Sequence, residues 1–393
     1  PGSLLCPTET VEMSDYTPRK SDRFAFGLWT VMNTGRDPFG EPTRGPLSGL
    51  DAINELGTRN VYAFEMHWED IIPDTAGAAE RDGIIKEAKK RMADSDIVCG
   101  CSGANTFTHP VFKDGALTSH DPKIRQMAIQ KYLTAIDVGY ELGCRLTNIW
   151  WGRDGIEVDA AKSPVQAIKR LREAFNYLQA YIDDNKYAGY RLSIEPKPNE
   201  PRGDTYLPTV GHAMALIATL NKPENCGLVP EVAHVRMAGL NAYHEIALAL
   251  ESDKLFGVHL NSQKPLRFDQ DIRFGAEDLK ESFFIVKLLE DHKWQGNRCF
   301  DAHAYRTADR EEVWDFVNGC MRTYLILREK AVAFNRDAEI QGILRELHRG
   351  CDAPLPASAD LRSADIDPAP LAARRYHHEK LDQLVQELLL GVR

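Results

Sequence analysis

The run Ser193-Ile194-Glu195-Pro196-Lys197-Pro198-Asn199-Glu200-Pro201-Arg202-Gly203-Asp204 decides the architecture. A β-like stretch, Tyr190 to Ile194, feeds into a carboxylate, then a lysine, then a second carboxylate. Proline fixes φ and cannot donate to a sheet ladder, so the prolines end the strand near Glu195 and stiffen the loop after it. The pattern predicts a strand whose C-terminal end presents Glu195 and Lys197 on a rigid loop. A solvated charged loop is the competing reading of this stretch taken alone.

The flanking sequence repeats the theme. From Arg23 onward, short β-rich runs alternate with long amphipathic segments. Strands are predicted at Phe24–Thr30, Asn60–Met66, Ile97–Ser102, Arg145–Trp151, Tyr190–Glu195, Gly227–Val232, Leu255–Leu260 and Arg298–Ala302. Helical spacing of apolar residues is clearest in Pro122–Gly143, Ser163–Asn185, Glu277–His292 and Asp309–Asn335. Eight strand–helix units in succession predict an α/β fold, a (β/α)₈ TIM barrel, with chemistry at the C-terminal ends of the strands. This divides the chain into a tail over 1–22, the barrel over 23–335, and a helical C-terminal arm over 336–393. The arm ends in a Leu-rich amphipathic helix that, by its composition, would not bury its stripe on itself and would wrap a partner.

Bulk properties narrow the function. A net charge of −10, with no Lys/Arg cluster, argues against nucleic acid as the main partner. No apolar run is long enough for a membrane span. The 8 cysteines are scattered and read as reduced thiols of a cytoplasmic protein. Pro1-Gly2-Ser3 reads as a cloning scar, and no signal-peptide pattern comes after it.

The predicted strand ends carry a consistent chemistry. Strand five ends in Glu195 and Lys197, and strand six in Glu231 and His234. Strand seven carries His259 and Asn261, with Asp269 and Asp271 in its loop. Strand eight ends in Asp301, with His303 beyond. Carboxylates and histidines at four successive strand ends would converge on one axis, which points to a metal site. Glu231 is placed to bridge two ions. Glu195, Asp301 and His259 would complete one shell, and His234, Asp269 and Asp271 the other. A shell this rich in carboxylates suits two hard divalent ions per subunit, such as Mg²⁺ or Mn²⁺.

Several long motifs then resemble the D-xylose isomerases of the actinobacterial type. They are GLWTV…GRDPFGEPTR (Gly27–Arg44), TFTHPVFKDG (Thr106–Gly115), IEPKPNEPRGD (Ile194–Asp204), LPTVGHA (Leu207–Ala213), FDQDIRFGA (Phe268–Ala276), GCMRTYLILREKAVAF (Gly319–Phe334) and LDQLVQELLLG (Leu381–Gly391). The resemblance implies aldose–ketose isomerisation by a metal-assisted hydride shift. It gives Glu195, Glu231 and Asp301 to a substrate-binding metal, and Glu231, His234, Asp269 and Asp271 to a catalytic one. Lys197 would polarise the sugar's C1 oxygen. Trp29, Phe107 and Trp150 would wall the sugar site, with Phe39 lent by a neighbouring subunit of a homotetramer.

The departures from that family fall inside the site. His259 stands where the family has an aspartate ligand, which favours imidazole-tolerant ions such as Co²⁺ or Mn²⁺, unless His259 swings away and water replaces it. Around strand two, aligning backward from Ile71-Ile72-Pro73 puts His67 on the family's ring-opening histidine and Asp70 on its partner. Aligning forward from Glu55-Leu56-Gly57 puts Phe64 there instead. An insertion inside a barrel strand is costlier than one in a loop, which favours Phe64. Trp150-Trp151-Gly152, Asn148, Gly103 and His303 also differ from the family's residues and imply an altered pocket. The alternatives are a metal-dependent sugar epimerase or lyase on the same scaffold, or a metal- or sugar-binding relative without turnover. A multinuclear-zinc phosphodiesterase fits less well, because His-rich shells and a basic groove are missing.

Overall fold

The computed structural model describes residues 15–393; Pro1-Gly2-Ser3 and most of the predicted tail lie outside them. Eight parallel strands form the barrel: β1 (Phe24–Gly27), β2 (Ala63–His67), β3 (Val98–Gly103), β4 (Leu146–Ile149), β5 (Arg191–Ile194), β6 (Cys226–Leu228), β7 (Val258–His259) and β8 (Arg298–Phe300). Neighbours run in the order β6-β5-β4-β3-β2-β1-β8-β7. Single parallel bridges, Leu228 to Leu255 and Glu231 to His259, close β6 onto β7. The last closing contact is therefore made by two of the predicted ligands.

Eight helices pack outside: α1 (Gly49–Gly57), α2 (Ala78–Asp94), α3 (Pro122–Glu141), α4 (Pro164–Asp184), α5 (Val210–Ile217), α6 (Ala242–Glu251), α7 (Leu279–Asp291) and α8 (Glu312–Arg336). Caps mark several starts: Ser48, Asp121, Ser163, Asn241 and Asp278 each accept a backbone N–H of the first turn. Among the described residues no helix is long and apolar enough to cross a membrane.

Strand alternation sorts side chains between two layers. Phe24, Phe26, Phe64 and Phe300 are fully buried in the apolar layer beneath the helices, with Phe24 edge-on to Tyr324 of α8. The paired Ala25, Ala63 and Cys299 form a separate small cluster on the inner face. The same period of two turns Glu65 and His67 inward. Phe64 therefore does not take the cavity-facing position that forward alignment gave it. The strain of register is met on β3, where pairing steps from Phe64–Cys99 to Glu65–Cys101 and leaves Gly100 unpaired. A Cβ at Gly100 would stand 3.1 Å from the Ala63 Cβ and 2.5 Å from Asn297 Nδ2.

The arm departs from its expected behaviour, because its Leu-rich end does bury its stripe on its own chain. After α9 (Ala338–Leu347) come two short exposed helices, α10 (Ser358–Ser363) and α11 (Pro368–Ala372), and then α12 (His378–Leu390). Leu384, Val385 and Leu388 of α12 are buried, and the helix packs on α8 and α9 of the same chain. Spacing of three and four residues makes one apolar stripe, and Gly391 ends the helix at φ +77. Arg393 then pairs with Asp337 at 2.7 Å. The part that stays bare is the preceding segment, including Leu355, Ile366 and Leu371.

Candidate active site

A cavity of about 340 Å³ opens at the C-terminal ends of the strands. That is within the range that holds a small molecule. Its lining includes Trp29, Glu65, His67, Phe107, Trp150, Glu195, Lys197, Glu231, His234, Asp269, Asp271, Asp301 and His303. They come from the strands, from the loops after them, or, for Trp29 and His234, from short helices (Leu28–Met32 and Val232–Met237) that come after β1 and β6.

Two donor sets adjoin one another. In the first, atoms of Glu195, Glu231, His259 and Asp301 all lie within 4.8 Å of one another. In the second, Glu231, His234 and Asp269 do the same, so Glu231 is shared. His259 Nδ1 stands 3.3 Å from Glu195 Oε2 and 3.2 Å from Asp301 Oδ2. His234 Nδ1 stands 3.1 Å from Glu231 Oε2, and its Nε2 lies 3.2 Å from Asp269 Oδ2. Asp271 lines the same cavity, but its carboxylate falls outside the compact group. It lies instead 3.4 Å from His303 Nδ1.

These residues fit divalent cations. His234 Nδ1, His259 Nδ1 and Asp269 Oδ1 are buried and have no hydrogen-bond partner, although carboxylates surround both rings. Buried polar atoms are ordinarily satisfied, so three orphans aimed into one cluster call for a ligand-accepting centre. The electrostatics agree. Burial and the neighbouring Asp269, Asp271, Asp301 and Glu195 push the Glu231 carboxyl well above its usual range. Burial and the nearby Asp269 and Asp301 do the same to Asp271. Packing carboxylates this densely is costly without compensating positive charge.

The fixed cation is Lys197. Its Nζ is 2.6 Å from Asp269 Oδ2 and 5.3 Å from the centre of the Trp150 ring. Burial acts to lower its pKa, but Asp269, Glu231 and Asp271 hold it above the ordinary lysine value. Burial works likewise against the charge on Asp269, yet His234 and Lys197 hold that carboxyl well below its usual range.

Aromatic side chains adjoin these groups in the cavity lining. The His67 ring sits 4.9 Å from Trp29 and 5.5 Å from Phe107, and Phe107 meets Trp150 edge-on at 4.7 Å. Asp70 Oδ2 accepts the His67 backbone N–H at 2.8 Å and lies 3.7 Å from Nδ1. His67 and Asp70 thus form the pair that backward alignment gives. Phe39 is not brought to this cavity; it is 100% exposed on a loop of the single chain.

Other roles escape a sequence reading. Glu65, in β2, reaches across to His259 Nε2 at 3.1 Å. Its spacing of two from His67 was the available signal. Asn261 is fully buried and donates to Glu231 Oε1 and to the Asp301 carbonyl, each at 2.8 Å. Trp29 is more than a wall, because its Nε1 donates to Asp301 Oδ1 at 2.8 Å. Asn148 donates to Glu195 and accepts from Ser193.

Comparison with known proteins gives a consistent result. A family model described as a xylose isomerase-like TIM barrel matches residues 50–322. Over 389 residues the chain is 47% identical to a xylose isomerase of Thermus thermophilus, across 96% of this chain and the whole of the relative. It is 46% identical, with the same coverage, to a xylose isomerase of Thermus caldophilus. Among solved structures it resembles a D-tagatose 3-epimerase-like protein at a TM-score of 0.58 and 13% identity, covering 79% of this chain and 99% of that one. A putative xylose isomerase from Rhodospirillum rubrum gives a TM-score of 0.58 at 14% identity, covering 78% and 98%. At such identity the two structures speak to the fold alone.

Proposed function

The chain belongs to the xylose isomerase-like TIM-barrel family, and on that premise we propose that it is a divalent-metal-dependent aldose–ketose isomerase acting by hydride shift. The observation that carries this is the pair of donor sets sharing Glu231, with Lys197 hydrogen-bonded to the second set at Asp269 and aromatic side chains lining the same cavity. Glu195, Glu231, His259 and Asp301 would hold one ion, and Glu231, His234 and Asp269, with Asp271 beside them, the second. Divalent ions there supply Lewis acidity to the oxygens of an open-chain sugar.

The protein's own groups do the rest. Lys197, kept charged by Asp269, donates to the carbonyl oxygen where negative charge develops. His67, steadied by Asp70, serves ring opening as a proton donor or acceptor. Trp29, Phe107 and Trp150 keep water from the reacting carbons, which protects a hydride in transit. Asn148 and Gly103, which line the cavity, shape a pocket for a sugar other than, or in addition to, xylose, whereas the indole new to this chain, Trp151, is buried in the core and does not line it. The exposed segment before α12, together with Phe39, would lie against neighbouring copies in a homotetramer.

An aldose deuterated at C2 tests the reaction. Hydride shift carries the label to C1 of the ketose, whereas an enediol route, as in an epimerase or a lyase, loses it to water. Label lost to solvent, a C2- or C3-epimer as product, or no turnover of any pentose or hexose with Mg²⁺, Mn²⁺ or Co²⁺ would overturn the proposal.

A further inference from the structure

His259 has two neighbourhoods, one for each ring nitrogen. Nδ1 faces the donor set of Glu195 and Asp301 at 3.3 and 3.2 Å and has no hydrogen-bond partner. Nε2 points the other way, into the barrel, and meets Glu65 Oε2 at 3.1 Å. Glu65 and His259 are 6% and 1% exposed. They come from β2 and β7, which do not pair, so the contact spans the barrel's interior.

We propose that Glu65 is a positioning residue whose carboxylate accepts the Nε2–H of His259 and so turns a bare Nδ1 lone pair toward Glu195 and Asp301. An imidazole has one proton and two nitrogens when neutral, and its ring can flip; a carboxylate on one nitrogen settles both choices. Without Glu65, the proton is free to move to Nδ1, where Glu195 or Asp301 would take it as a hydrogen bond. The ring would then cap the donor set instead of joining it. Glu65 also returns to the neighbourhood a negative charge that a neutral imidazole does not bring. The β3 bulge belongs to the same device, since the register shift occurs at the Phe64/Glu65 step.

This inference rests on the metal-dependent reading, and the two fail separately. Metal-stripped wild-type protein, Glu65→Gln and Glu65→Ala are titrated with Co²⁺ by calorimetry, and the visible ligand-field spectrum is followed at each equivalent. Wild type is expected to bind two equivalents. Glu65→Gln, which keeps the volume, is expected to weaken one site about 10-fold, and Glu65→Ala up to about 100-fold. The spectrum of that site should change while the other site keeps its affinity and spectrum. Near-UV circular dichroism confirms folding; if Glu65→Ala unfolds, Glu65→Gln decides. Two wild-type sites in both variants, with unchanged spectra, would overturn the role of Glu65 and leave the metal reading standing. Equal loss at both sites would also overturn it. No Co²⁺ bound by wild type would overturn both.

Discussion

Lys197 Nζ lies 2.6 Å from Asp269 Oδ2, so the cavity's fixed cation and one of its candidate metal ligands are hydrogen-bonded to each other. The pair keeps Lys197 charged and leaves Asp269 Oδ1 buried without a hydrogen-bond partner. Lys197→Met should cut turnover at least about 100-fold, or roughly 3 kcal/mol of transition-state stabilisation. Metal affinity should not fall, because the substitution removes positive charge from beside the ligands. Inhibition by an inert polyol should change far less than turnover; equal losses in both would make Lys197 a binding residue only.

Position 259 is coupled to position 65 by charge. A carboxylate placed at 259 by His259→Asp would face Glu65 inside the barrel, where unrelieved like charges are costly. The single variant should therefore melt below wild type in the metal-free state. Adding Glu65→Gln to it should raise the melting temperature again. Thermal unfolding of the four proteins of this cycle reads the coupling, and strict additivity would contradict it.

Gly139 sits on the side of α3 that packs against Ser102 of β3. A Cβ there would stand 2.5 Å from the Tyr190 hydroxyl and 2.7 Å from Ser102 Oγ. Those hydroxyls, with Thr147, form a buried network at 2.9 to 3.1 Å. Gly139→Ala gains about 1 kcal/mol of helix propensity but overpacks a core and disturbs its hydrogen bonds, at about 1–3 kcal/mol or more. The clash wins, and urea unfolding should show net destabilisation. A more stable variant would mean that α3 can retreat.

Assembly has its own test. The segment from Arg349 to His377 exposes Leu355, Ile366 and Leu371, while Phe39 stands wholly bare. Exposed apolar groups in such number on one arm favour a protein partner. Sedimentation at micromolar concentration should give four times the 44.2 kDa chain mass, and deletion of 349–377 should lower it. A monomeric mass for the intact chain would contradict the proposal.

The barrel is legible because short β-rich runs alternate with amphipathic stretches, clearest in four of the helices, and because prolines stop the strand before Glu195. The donor residues at the ends of β5, β6 and β8 are legible for the same reason: they directly succeed apolar strands. The features that escape a reading of the sequence depend on geometry across the barrel. The cost of an insertion in β2 favours Phe64 for the cavity, but a strand's register with its neighbour is not written in either strand alone. The register shift lies at Gly100 of β3, and His67 faces the cavity with Asp70 beside it. Glu65 escapes notice because its partner is 194 residues away. The burial of α12 on its own chain likewise requires the position of α8, which periodicity does not supply.

Metal choice tests the central claim most directly. With His259 as a ligand, the first donor set offers three carboxylates and a nitrogen, whereas Mg²⁺ prefers an octahedron of oxygens and Co²⁺ or Mn²⁺ accept imidazole readily. Stripped protein is titrated with each ion, and turnover is measured on a panel of pentoses and hexoses. Two ions should bind per chain, with Co²⁺ and Mn²⁺ supporting more activity than Mg²⁺ at equal concentration, and His259→Asp with Glu65→Gln should move the preference back toward Mg²⁺. If Mg²⁺ activates the native protein as well as Co²⁺, and the double variant behaves the same, His259 is not a ligand and the account of this site is wrong.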